Sequence, residues 1–146
     1  ASVTAPNQVE LRWLKANPSM LGTLFTISRA VNGSNDYVRV GDNTDTAFTD
    51  QVNASDNSYC YRISYQDLCS NNATPSEPVC TVLLQREGES LGWSSESPFN
   101  GGFGPLRDYT VELIDSDNAA TTLSNTGSRT DFALDLANAS SQQLRY

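Results

Sequence analysis

Residues 59–65, Tyr59-Cys60-Tyr61-Arg62-Ile63-Ser64-Tyr65, alternate strictly. Tyr59, Tyr61, Ile63 and Tyr65 fall on one face, Cys60, Arg62 and Ser64 on the other. That is the period of a half-buried strand. Helical periodicity is nearly absent elsewhere. Its best candidate, residues 131–139, lacks a sustained apolar stripe. The alternation recurs along the chain. Val9, Leu11 and Trp13 point one way, and Glu10 and Arg12 the other; Phe25 and Ile27 point inward, and Thr26 and Ser28 outward. Strands are expected at residues 1–4, 8–13, 24–29, 37–40, 46–50, 59–66 and 78–85, with Gly, Asn and Pro turns between them. Such a series predicts an all-β fold, an antiparallel sandwich.

After Gln85 the pattern starts again. Leu91 and Trp93 repeat Leu11 and Trp13 at an offset of 80, and Tyr109-Thr110-Val111 repeats Phe25-Thr26-Ile27 at 84. Thr130-Asp131-Phe132 repeats Thr46-Ala47-Phe48 at 84, and Leu144-Arg145-Tyr146 repeats Tyr59-Cys60-Tyr61 at 85. Two sandwiches in tandem are expected, at 1–85 and 86–146, the second incomplete because it stops before its last strand. A sandwich lacking that strand exposes a sheet edge, so the expectation is of a piece of a longer chain. Only residues 86–90 lie between the two patterns. One strand, residues 79–86, is therefore expected to end the first sandwich and begin the second, making a stiff junction.

Several function classes are disfavoured. The net charge is −8, with nine Lys and Arg against seventeen Asp and Glu. A nucleic-acid binder needs a basic stripe, and none is present. No run is long and apolar enough for a membrane-spanning helix, so no membrane insertion is expected. The chain has no His, the commonest general base and metal ligand. Gly101-Gly102-Phe103-Gly104 precedes a strand and lacks the Lys-Ser/Thr of a phosphate loop. The acidic residues fall mostly in turns, where Asp belongs for local reasons. No enzyme and no cofactor is expected. The nearest chemical alternative is Ca²⁺ at Asp42-Asn43-Thr44-Asp45 or Asp115-Ser116-Asp117-Asn118. Neither carries the Gly and distal Glu of an EF-hand loop, and solvated hairpin turns are the simpler reading.

The three cysteines, Cys60, Cys69 and Cys80, fit no zinc spacing. With the Asn- and Ser-rich composition they indicate an oxidising, extracellular setting. Sequons occur at Asn32, Asn53, Asn72 and Asn138, though several arise by chance in such a composition. For a hairpin turning about residues 71–73, Cys60 lies too far along the ladder to face Cys80. Cys69–Cys80 is then the favoured disulfide, with Cys60–Cys80 and no bridge as the alternatives. Phe99 and Phe103 lie in a Gly/Pro-rich loop that would form a ligand loop at one end of a sandwich, or would fold back over the core beneath Trp93.

Val9-Glu10-Leu11-Arg12-Trp13, Phe25-Thr26-Ile27-Ser28-Arg29, Phe48-Thr49-Asp50 and Tyr59-Cys60-Tyr61-Arg62-Ile63 together resemble a fibronectin type III domain. The likeness lies in the Trp of the second strand and the Tyr-x-Tyr-Arg-Ile of the sixth. It covers residues 1–85, and 86–146 as a partial copy. Asp67-Leu68-Cys69-Ser70-Asn71 with Ser76-Glu77-Pro78-Val79-Cys80-Thr81 is similar to tandem modules of large Bacteroidota surface and secreted proteins. Those modules precede a gliding-motility-associated C-terminal domain, the signal for type IX secretion. The resemblance implies a non-catalytic structural spacer on the cell surface. Its partners would be other domains of the same longer chain and the secretion or surface-anchoring machinery. It also makes Thr46, in Asp45-Thr46-Ala47, a candidate for O-glycosylation, although a strand start beside a turn explains the same residues. The alternative is an adhesin or a carbohydrate- or protein-binding module acting through loops of the second sandwich.

Overall fold

The computed structural model describes residues 1–15, 23–66, 71–94, 109–114, 117–127 and 131–133. All its regular structure there is antiparallel β. The chain divides into two compact units, one comprising Ala1–Leu83 and the other beginning at Leu84.

The first unit has seven strands: β1 (Ser2–Ala5), β2 (Gln8–Arg12), β3 (Phe25–Val31), β4 (Val38–Asn43), β5 (Ala47–Gln51), β6 (Tyr59–Tyr65) and β7 (Val79–Cys80). They form a three-stranded sheet, β1-β2-β5, and a four-stranded sheet, β4-β3-β6-β7. In β2 and the first half of β3 the alternation decides what is buried. Val9 and Leu11 of the first sheet meet Ile27, Tyr59 and Tyr61 of the second in one cluster, with Phe48, Val40, Trp13 and Val79 at its margin. Two sheets sharing one apolar core make a sandwich. Tyr61, Leu11, Ile27 and Val9 are its fully buried side chains, each contributing roughly 1.5–3 kcal/mol by leaving water.

Two local devices shape this unit. The β3–β4 ladder pairs Ile27 with Gly41 and Ser28 with Arg39, so Val40 is the extra residue of a β-bulge. The bulge lets Val40 pack on the core and carries β4 on to Asn43, through residues whose composition suggested a turn. Gly41 then lies against Phe48: a Cβ there would be 2.6 Å from Cε2 of the ring. At the far end of β3, Ser34 N–H donates to Val31 O at 3.0 Å across Asn32-Gly33, both at positive φ. This is a type I′ turn, the form that suits the twist of a hairpin.

The second unit contains β8 (Leu84–Glu87), β9 (Ser90–Trp93), β10 (Tyr109–Ile114), β11 (Ala120–Gly127) and β12 (Asp131–Ala133). Its sheets are β12-β9-β8 and the hairpin β10-β11. The expected single strand over residues 79–86 is in fact two. Val79–Cys80 pairs with β6 and Leu84–Glu87 pairs with β9, leaving residues 81–83 in neither ladder. A separate first strand fits because β8 and β9 are joined by only Gly88-Glu89, Glu87 pairing with Ser90. Gly88 has φ +59 while Glu89 does not have positive φ, as a type II′ turn requires.

Pairings recur between the units at the offsets seen in the sequence. Leu11 faces Phe48 on β2–β5, and Leu91 faces Phe132 on β9–β12. Trp13 meets Phe25 edge-on at 5.7 Å, and Trp93 meets Tyr109 edge-on at 5.3 Å. Each Trp is set by its strand end, the backbone N–H of Trp13 extending the β2–β5 ladder to Thr46 O.

Candidate functional site

Among the described residues, a group of polar side chains converges inside the first sandwich. On β5, Phe48 and Asp50 share a face by alternation, so the carboxylate is carried inward with the ring. On β3, Arg29 follows Phe25 and Ile27 in phase. On β6, Tyr61 lies on the core face. These three strands belong to both sheets, and their polar ends converge. Asp50 Oδ2 accepts from Arg29 Nη1 at 2.7 Å and from the Tyr61 hydroxyl at 3.0 Å. Asp50 is 8% exposed and Tyr61 fully buried, so the carboxylate is tied while largely shielded from water. The Arg29 guanidinium also lies 5.5 Å from the centre of the Tyr59 ring. Burial, and then the neighbouring Asp50 carboxylate, push the Tyr61 hydroxyl far above the usual tyrosine range; Arg29 opposes this weakly. The hydroxyl is thus held as a donor. The group ties one sheet to the other across the core.

The disulfide departs from the favoured pairing. Cys60 is bonded to Cys80, with Cα atoms 4.0 Å apart, and both residues are buried. Cys69–Cys80 is therefore corrected: Cys80 is taken by Cys60, while Cys69 falls outside the described residues. The physical reason is where the chain turns. Gln66 bridges to Asn72, Ala73 N–H donates to Tyr65 O, and Ser76 N–H donates to Ile63 O. Those pairs set Ala73 opposite Tyr65, where a turn about residues 71–73 would set Val79. The return limb then slips by two residues before β7, so Tyr61 faces Val79 and Cys60 faces Cys80. Thr81 N–H donates to Tyr59 O at 2.8 Å, which makes Cys60 and Cys80 a non-hydrogen-bonded pair. Antiparallel Cα atoms come closest at such pairs.

Of the other candidate residues, the described ones are not gathered with this group. Thr46 is half-buried in the bend before β5, its carbonyl accepting from Trp13 N–H at 3.0 Å. Phe99 and Phe103 lie outside the described residues, as do Asp115, Ser116 and Asn138. At the first acidic turn Asp42 accepts from Arg39 and, at 2.9 Å, from Thr26 Oγ1. Asn43 Oδ1 accepts from Asp45 N–H at 3.1 Å. The side-chain oxygens of Asp42 and Asn43 thus serve the turn and its neighbouring strand. Among the described residues no three His, Cys, Asp or Glu side chains cluster as a metal site would need. Two sequon asparagines are likewise engaged. Asn32 Nδ2 donates to Asn57 Oδ1 at 2.8 Å, and Asn53 Nδ2 to Asp56 Oδ2 at 2.7 Å.

The inter-sheet group was not anticipated from the sequence, although a signal existed. An Asp two residues after the inward Phe48 and an Arg two residues after the inward Ile27 are opposite charges aimed at one core. Such charges must find each other to be buried at all. Neither a comparison with protein-family models nor one with curated proteins finds a match for this chain.

Proposed function

We propose that this chain is a non-catalytic structural spacer from an exported, multidomain cell-surface protein, built of tandem fibronectin type III-like sandwiches. The observation that carries the reading is how the polar groups of the first unit are used. Asp50, Arg29 and Tyr61 tie sheet to sheet, Asp42 ties β4 to β3, and Cys60–Cys80 ties β6 to β7. Groups that could serve chemistry serve cohesion instead. The recurrence of the Leu–Phe pairing and the Trp–aromatic contact at the same offsets supports the tandem arrangement. A disulfide between buried cysteines fits an oxidising compartment outside the cell. The three-plus-four strand sandwich, with Trp13 closing the second strand and Tyr59 and Tyr61 in the sixth, agrees with the fibronectin type III likeness. The partners would then be neighbouring domains of the same chain and the machinery that exports or anchors it.

A glycan and cell-surface binding screen tests the reading. The spacer reading expects no saturable binding by the chain. Saturable binding that Phe99→Ala and Phe103→Ala abolish would replace it with the adhesin reading.

A further inference from the structure

The final strand of the first unit is very short. Strand β7 contributes only Val79 and Cys80 to its ladder, whereas the neighbouring β3–β6 ladder runs through seven residue pairs, from Phe25–Tyr65 to Val31–Tyr59. Beyond Cys80, three residues lead to Leu84 and the second unit. Tension in the chain would therefore enter the first sandwich at its weakest ladder. Pulled from its end, an edge strand of an antiparallel pair loses its bonds one at a time, and Val79 and Cys80, with the scattered bonds of Thr81, Ser76 and Ala73 to β6, offer little resistance.

The disulfide lies at this entry point. Cys80 is the last residue of β7, and its sulfur is bonded to Cys60, the second residue of β6. Thr81, just outside the ladder, is only 3% exposed. It is bonded to the same end of β6: its N–H donates to Tyr59 O at 2.8 Å, and its Oγ1 accepts from Tyr59 N–H at 3.0 Å. We propose that the Cys60–Cys80 disulfide is a tension clamp, which passes force arriving through residues 81–83 around β7 and directly into β6. Strand β6 hands that load to β3 through the seven-pair ladder, and Tyr61 hands it to Asp50 of the opposite sheet. The clamp gives a mechanical sense to the spacer reading on which it rests.

Single-molecule stretching of the whole 146-residue chain, held at its two ends, tests the clamp. In the native chain the first unit should open in one event, shortened by the stretch that the disulfide closes off. Cys60 and Cys80 are 20 positions apart, so about 70 Å of contour stays hidden at roughly 3.5 Å per residue. In Cys60→Ala/Cys80→Ala, residues 66–80 should peel first, in a separate low-force step of about 50 Å. A variant that opens in a single event, at the native force, overturns the proposal. So does a native chain that already shows the early step.

Hydrogen exchange on the native chain needs no variant. Thr81 N–H should exchange as slowly as the amides of the β3–β6 ladder. Exchange at Thr81 tenfold or more faster than in that ladder means that β7 frays despite the disulfide, and the clamp fails. Either failure leaves the spacer reading standing, because that reading falls only to ligand binding.

Discussion

Replacing Asp50 by Ala should be among the costliest single changes in the first unit. The substitution removes the acceptor of two hydrogen bonds at once. It leaves Arg29, whose side chain is 23% exposed, with its charge facing the core, and it orphans the Tyr61 hydroxyl. Breaking one side of a shielded ion pair costs about 3–5 kcal/mol. Tyr61→Phe removes only one bond to a charged acceptor, about 1.5–3 kcal/mol. The double variant should cost less than the sum, since Phe no longer carries the hydroxyl that Asp50→Ala strands. A coupling of about 0.5–3 kcal/mol is expected for groups in one network. Against a typical total of about 5–15 kcal/mol, the Asp50 change approaches unfolding. Urea titration followed by tryptophan fluorescence measures it. Trp13 belongs to the first unit and Trp93 to the second, so a Trp93→Phe background isolates the transition of interest. An Asp50→Ala cost below about 1 kcal/mol, or strict additivity with Tyr61→Phe, would refute the assignment of this group as the tie between the sheets.

Three further outcomes follow from the same geometry. Gly41→Ala should cost about 1–3 kcal/mol by overpacking, because its Cβ would press on the Phe48 ring; adding Phe48→Leu should recover part of that loss, and an unchanged urea midpoint would contradict the contact. The folded state raises the Tyr61 pKa above the ordinary value of about 10, so its contribution is complete below pH 10 and is lost as pH climbs toward the folded value. From pH 10 to 11 the native chain should lose up to about 1.4 kcal/mol more than Tyr61→Phe, and parallel pH profiles would sink the idea. Non-reducing peptide mapping should recover Cys60 linked to Cys80, and Cys60→Ala/Cys80→Ala should lower stability by about 3 kcal/mol through the freed unfolded chain; a Cys69–Cys80 peptide would reverse the correction made above.

The strands of the first unit were legible because their apolar residues alternate with polar ones in sequence. Gln8–Arg12 alternates in burial as in sequence, and Phe25–Val31 does so as far as Ser28; in Tyr59–Tyr65 the disulfide covers Cys60, so that Tyr59, Cys60 and Tyr61 are all buried. Register was harder to read. Nothing in the alternation of residues 59–65 says where the chain turns back, since a shift by two residues keeps every side chain on the same face. What fixes the turn is backbone pairing by Ala73 and Ser76, helped by the Ser76 hydroxyl, which accepts from Ile63 N–H at 3.1 Å. The register of the return limb, with its two-residue slip before β7, and not the alternation, decides which cysteine meets Cys80. The break at residues 81–83 was hidden for a similar reason. A two-residue type II′ turn frees enough chain for a separate strand, and only Gly88 marks it.

The polar tie is written in strand position rather than in composition. Composition alone does not separate Asp50 from the other acidic residues. Position in the alternation separates it from them. A carboxylate two residues beyond an inward Phe must either leave the strand's pattern or bury its charge, and burial without a partner is prohibitive. Arg29, in phase with Phe25 and Ile27, faces the same demand with the opposite sign. The two charges stand 21 residues apart, on strands of different sheets. Each therefore constrains how the sheets face one another more tightly than an apolar pair does. Leucine tolerates a small slide against its neighbours. A carboxylate receiving a guanidinium and a phenol at 2.7 and 3.0 Å does not, because hydrogen bonds weaken steeply with misalignment. In a small sandwich the few inward charges thus carry information about sheet-to-sheet register that the apolar pattern lacks.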